Sequence, residues 1–188
     1  MTAVPDWLTA ALSRMKMPDA PVAEPWEFAV STLIGQRVKV PGALDRFGAV
    51  RISRQEIGID ATTVPWASVV QVRTRPLRDV ISGAVGRQAS QAAPWGTRFV
   101  ARAITTRATD AVAGLFQIAD RDGPAGAMVP CQIIYRLRRK PIVINPSLAA
   151  LAVLCLPAVS ASVLATAPAG VLQHRPTGHS TGHSTPGP

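Results

Sequence analysis

Histidine is nearly missing from this chain. His174, His179 and His183 are its only copies. Residues 1–173 therefore offer no Ser–His, Cys–His or His–metal arrangement. The tail that holds the three repeats Gly-His-Ser-Thr and ends in Pro-Gly-Pro. A metal site needs fixed ligands and partners behind them, which such a tail does not supply. Residues 169–188 read as a disordered tail.

Cysteine is scarce too. Cys131 and Cys155 lie in apolar surroundings without a CxxC pair. They read as small hydrophobes in a reducing compartment, not as a disulfide framework. Carboxylates are thin over residues 36–140: Asp45, Glu56, Asp60, Asp79, Asp110, Asp120 and Asp122, mostly in predicted turns. Asp120-Arg121-Asp122-Gly123 has the start of a calcium loop but not its downstream ligands, so it reads as a turn. No phosphate-binding Gly-rich run occurs. These gaps argue against an enzyme, and no cofactor, metal or small-molecule substrate is expected. Aromatics are only 5% of the chain. The basic region has mainly Phe47, Trp66 and Tyr135 for stacking, so nucleic acid is a less favoured partner.

Positive charge is what the chain has in excess. Net charge is +9, with lysine only at Lys16, Lys39 and Lys140. Arginine-rich, lysine-poor composition is also what GC-rich codon usage produces. The charge is concentrated: residues 1–35 carry net −2, residues 36–140 net +10 and residues 141–188 only Arg175. A field of that sign favours an acidic protein, phospholipid head groups or nucleic acid. The candidate anion-binding face comprises Arg37, Lys39, Arg51, Arg54, Arg73 and Arg75, with Arg136, Arg138, Arg139 and Lys140 crowding one hairpin.

The pattern of elements begins with residues 5–16, where Trp7, Leu8, Ala11, Leu12 and Met15 share one helical face. Residues 17–26 hold three prolines and read as an extended linker, so 1–34 form a helix and a Pro-rich linker. Residues 35–76 are dense in strands: 37–40, 48–52, 56–60, 64–66 and 69–74, each alternating or bounded by turn residues. Pro65 ends a strand or sits on an edge. Residues 77–127 read as a helical insertion, with a weak helix at 77–89 and a strong one at 98–119. In the latter, Phe99, Val100, Ala103, Ile104, Ala108, Ala111, Val112, Leu115 and Phe116 make a continuous stripe. Residues 128–145 return to strand pattern in two segments.

From Pro141 to Gln173 no residue is charged. Residues 148–167 are long enough to span a bilayer, and the basic run 136–140 precedes them as the positive-inside rule would require. Pro146, Pro157 and Pro168 instead divide the run into two short buried helices. Two readings follow: a closing helical segment over 146–168, or a single-pass C-terminal anchor. Asp6, early in the chain, and basic residues that follow the first apolar ones are unlike a secretion signal. The expected location is the cytoplasm, with the membrane as the alternative.

Strands, a helical interruption, two more strands and an apolar helix follow the plan of the pleckstrin-homology-like barrel. Ile57-Gly58-Ile59-Asp60, Val64-Pro65-Trp66, Val69 and the outgoing Val70-Gln71-Val72 resemble bacterial members of that group. The run from Arg139 to Ser147 resembles their last hairpin leading into the closing helix. The resemblance covers about half the chain. It implies an α+β fold with a small, strongly twisted antiparallel barrel, and a binding or scaffold role. It carries over no ligand residues, because the phosphoinositide motif of eukaryotic relatives has no counterpart here. An SH3-like barrel is the alternative for residues 35–74.

Overall fold

The computed structural model describes residues 4–30, 33, 48–90 and 99–174. Its first sheet follows from alternation in short strands. β1 (Trp26–Phe28), β2 (Val50–Ile52), β3 (Glu56–Ile59) and β4 (Thr62–Pro65) pair antiparallel in chain order. Two cross-strand rows, Phe28–Val50–Ile59–Thr62 and Trp26–Ile52–Ile57–Val64, face the core. The row between them, Glu27–Arg51–Gly58–Thr63, faces outward. Ser53 closes the β2–β3 turn: its hydroxyl accepts from the Gln55 and Glu56 amides at 3.2 and 3.0 Å, an ST-type turn.

Pro65 ends β4, and one 3-10 turn, Trp66–Ser68, redirects the chain. Trp66 is buried there, and its Nε1 donates to the Ser53 carbonyl at 2.9 Å. The indole plugs the core with its polar atom satisfied.

The second sheet has the order β7-β6-β5-β8. β5 (Val69–Pro76), β6 (Met128–Leu137) and β7 (Lys140–Ile144) are antiparallel; β8 (Leu172–His174) runs parallel to β5. Register shifts interrupt β5–β6 between Val69 and Gln71 and between Arg73 and Thr74. Pro130 sits beside the second shift, and Pro141 lies in the edge strand β7. Both are positions where a missing N–H does least harm.

Among the described residues five α-helices accompany the sheets: α1 (Asp6–Ser13), α2 (Leu77–Ser90), α3 (Phe99–Asp122), α4 (Leu148–Leu154) and α5 (Pro157–Thr166). In α3 the stripe Ala111, Val112, Leu115, Phe116 and Ala119 is buried. In α1, Leu8 is fully buried, while Ala11, Leu12 and Met15 pack at the margin of the core. Trp7, expected on that apolar face, is exposed. The stripe at i, i+3, i+4 and i+7 starts from Leu8, one position and about 100° around from Trp7.

The fold is thus mixed α+β, but among the described residues the two sheets do not join into a closed barrel. Both edges of β5 are taken, by β6 and β8, which leaves none for β4. Two segments also differ from expectation. The Pro-rich segment is packed: Val22 is buried, its N–H donates to Thr166 Oγ1 at 3.0 Å, and Trp26 opens β1. The tail is ordered at its start, because β8 supplies the second edge of β5. The expected strand at 37–40 lies outside the described residues.

The uncharged run 148–167 is two helices, bent by 85° at the break between them. Pro157 sits at the start of α5, where its missing N–H is harmless. Residues Ala150 to Leu156, with Val159, Ser160, Ser162 and Val163, are buried. No single described helix is long and apolar enough to cross a membrane.

Candidate anion-binding surface

The β6–β7 hairpin places the densest positive charge. Strand pairing runs from Ile133–Ile144 out to Leu137–Lys140, leaving Arg138 and Arg139 as a two-residue loop. Their φ angles are 49° and 71°. Both central residues are left-handed, as a two-residue hairpin with the right strand twist demands. Arg136, Leu137, Arg138, Arg139 and Lys140 are all exposed. None of the four cations has a carboxylate partner among the described residues. Four like charges at one tip repel one another, and a bound anion would relieve that repulsion. The guanidinium forks of the three arginines suit phosphate and carboxylate oxygens.

Arg73 and Arg75 belong to the same sheet but not to that tip. Arg73 pairs with Gln132, and Arg75 with Val129. From Leu137 to Gln132 along β6 is roughly 17 Å at the usual strand rise. Arg73 Nη1 donates to Gln132 Oε1 at 3.3 Å, and Gln132 Nε2 donates to Asn145 Oδ1 at 2.8 Å. This relay crosses β5, β6 and the exit of β7.

Arg75 lines a depression of about 230 Å³ with Asp79, Gly83, Cys131, Gln132 and Asn145. Pockets for cofactors and drug-sized ligands usually span about 300–1,000 Å³. This one is too small for them.

Arg51 and Arg54 lie in the first sheet. Arg51 Nε donates to Glu27 Oε1 at 2.7 Å, so its charge is largely matched. Its stem lies over Gly58, where a Cβ would come within 3.1 Å of Arg51 Cβ. Arg54 is exposed in the β2–β3 turn. Arg37 and Lys39 lie outside the described residues. The ten candidates therefore divide. Four share the hairpin tip, two lie farther along the second sheet, two lie on the first sheet, and two are undescribed. Comparison with family models, with curated proteins and with solved structures gave no match to this chain.

Sequence reading misses Glu27 as a partner of Arg51, because residues 17–26 read as a linker and nothing in the pattern predicts β1. It also misses the Arg73–Gln132–Asn145 relay. The alternation in β5 and β6 puts Arg73 and Gln132 on solvent-side positions, but pairing them needs the register. Among the described residues no cluster of three His, Cys, Asp or Glu side chains is placed to hold a metal ion.

Proposed function

We propose that the protein is a non-enzymatic binding or scaffold module whose β6–β7 hairpin meets an anionic partner, an acidic protein or lipid head groups. The observation that carries this reading is the cluster of Arg136, Arg138, Arg139 and Lys140, four exposed cations within five residues with no carboxylate paired to them among the described residues. Net charge of +10 on residues 36–140 adds a long-range field of the same sign.

The pleckstrin-homology-like plan belongs to the same proposal. Its support is the order of elements: four consecutive antiparallel strands, then β5-β6-β7, then a buried apolar helix pair. The α2–α3 excursion between β5 and β6 would be an insertion into that plan. Burial of α4 and α5 favours reading residues 148–167 as part of the domain rather than as an anchor. Carbonate extraction of membranes tests this, since a chain that stays in the pellet would favour the anchor.

Binding of the full chain to immobilised polyglutamate, heparin and anionic vesicles, measured over a salt series, tests the function. Binding to at least one of them is expected to weaken steeply with salt. Replacing the four hairpin cations by glutamine is expected to abolish it. Absence of salt-sensitive binding to all three surfaces would sink the proposal.

A further inference from the structure

We infer that the β6–β7 hairpin is a finger for anionic phospholipid surfaces, and that its turn sacrifices fold stability for that contact. The inference rests on the anionic-partner reading above and names the partner.

The turn residues come first. Two-residue loops with both φ angles positive strongly favour Asn-Gly, because a Cβ and a long side chain are disfavoured in the left-handed region. This chain puts Arg138 and Arg139 there, at φ 49° and 71°. Among the described residues no ion pair compensates for that choice. Both side chains are exposed, and neither meets a carboxylate among the described residues. Strained backbone of this kind concentrates at functional positions. What the choice does achieve is to carry two guanidinium groups to the outermost point of the strand ribbon.

Leu137 decides between partners. It is 53% exposed, directly before the turn and paired with Lys140. An apolar side chain among cations matches the layering of a lipid interface, where head-group phosphates overlie acyl carbon. Nucleic acid would instead call for stacking rings, and the nearest is Tyr135, half-buried and farther down the strand. A stable protein contact needs about 1,000 Å² of interface, more than a two-residue loop and its flanks present. Attraction to an anionic bilayer has no such threshold, since each basic side chain near it adds about fivefold to partitioning.

The test uses the full chain and vesicles of phosphatidylcholine, with and without phosphatidylserine. Wild-type protein is expected to sediment with the phosphatidylserine vesicles only, less so as salt rises. The Arg138→Asn/Arg139→Gly variant is expected to melt at a higher temperature than wild type and to bind those vesicles about 25-fold more weakly. Leu137→Trp is expected to shift its fluorescence to the blue on binding.

If wild type ignores the vesicles but binds polyglutamate or DNA in a salt-sensitive way, the lipid inference falls and the anionic-partner reading stands. If it binds none of them, both fall. A double variant that binds vesicles like wild type, or is no more stable, overturns the exchange of stability for contact. Binding of the Leu137→Trp variant without a blue shift overturns the insertion of the tip.

Discussion

Asp60 and Ser147 stand 87 positions apart and are joined by two hydrogen bonds. The Ser147 hydroxyl donates to Asp60 Oδ1 at 2.7 Å, and the Ser147 amide donates to Oδ2 at 2.8 Å. Oδ1 also accepts from the Gly48 amide at 2.7 Å. Ser147 in turn caps α4, its Oγ accepting from the Ala150 amide at 3.2 Å. One carboxylate therefore ties the β3–β4 turn, the entry to β2 and the start of the helix pair. Asp60 suits its place, because its φ of 52° is left-handed and Asp tolerates that region better than most residues. Asp60→Ala is expected to cost about 3 kcal/mol, since it leaves three part-buried donors without their acceptor. Ser147→Ala should cost about 1–2 kcal/mol through the lost cap and the lost bond. In a double-mutant cycle read by urea unfolding, the two should couple by about 1 kcal/mol or more. Strict additivity would mean that the clamp carries no energy of its own.

That clamp shows where sequence reading stops. Alternation revealed β2 and β3, and proline and glycine marked their ends, because those signals are local. The stripe in α3 was legible for the same reason. The break at Pro157 separated α4 from α5. Asp60 read only as a turn residue, because its meeting with Ser147 depends on how the two sheets pack. β1 was hidden by the prolines before it, and Trp26–Phe28 is too short to show a period. β8 was hidden because its partner, β5, lies about a hundred residues back and the pairing leaves no mark in its own residues. For the candidate site, the clustering of Arg136 to Lys140 was visible in one line of sequence. The separation of Arg51, Arg54, Arg73 and Arg75 from it was not, because it depends on which sheet each strand joins and, for Arg73 and Arg75, on the register of β5 against β6.

Ser162 offers a change in the opposite direction. It is fully buried in α5, and its hydroxyl is without a hydrogen-bond partner among the described residues. Its neighbour Ser160 is different, because that hydroxyl donates to the Leu154 carbonyl at the break between α4 and α5. A buried hydroxyl without a partner loses its hydration and recovers nothing. Ser162→Ala should therefore raise stability by about 1 kcal/mol, helped by the better helix propensity of alanine. Ser160→Ala should lower it by about 1 kcal/mol. Thermal melts of the two variants that move the same way would contradict this difference in environment.

Cys155 ties stability to alkaline pH. Burial at the α4–α5 break pushes its thiol up from 9.0 to about 12. The folded state thus keeps the proton over a range in which the unfolded chain releases it. Between pH 9 and 12 the unfolded state binds fewer protons, so stability must fall as pH rises. The slope from this one group is about 1.4 kcal/mol per pH unit. Below pH 9 both states are protonated and the group contributes no pH dependence. Urea midpoints from pH 8 to 11 should drop more steeply for wild type than for Cys155→Ala, whose other titrating groups are the same. Parallel curves would mean that the thiol is not sheltered in the folded protein.

β8 makes the last prediction, since it is ordered where a disordered tail was expected. The Val72 amide donates to the Val171 carbonyl at 2.8 Å, and β8 then continues alongside Val72, Arg73 and Thr74 of β5. Val72 and Thr74 are fully buried. Removing β8 would bare the β5 edge and leave the Val72 N–H without its carbonyl. An uncovered edge strand is also a site for pairing with another chain. A chain ending at Gly170 should lose about 1–3 kcal/mol, exchange the Val72 amide proton much faster, and self-associate as its concentration rises. A chain ending at His174 keeps the pairing and should behave like the full protein in all three measurements. If the two truncations are indistinguishable by hydrogen exchange at Val72, β8 does not protect that edge in solution.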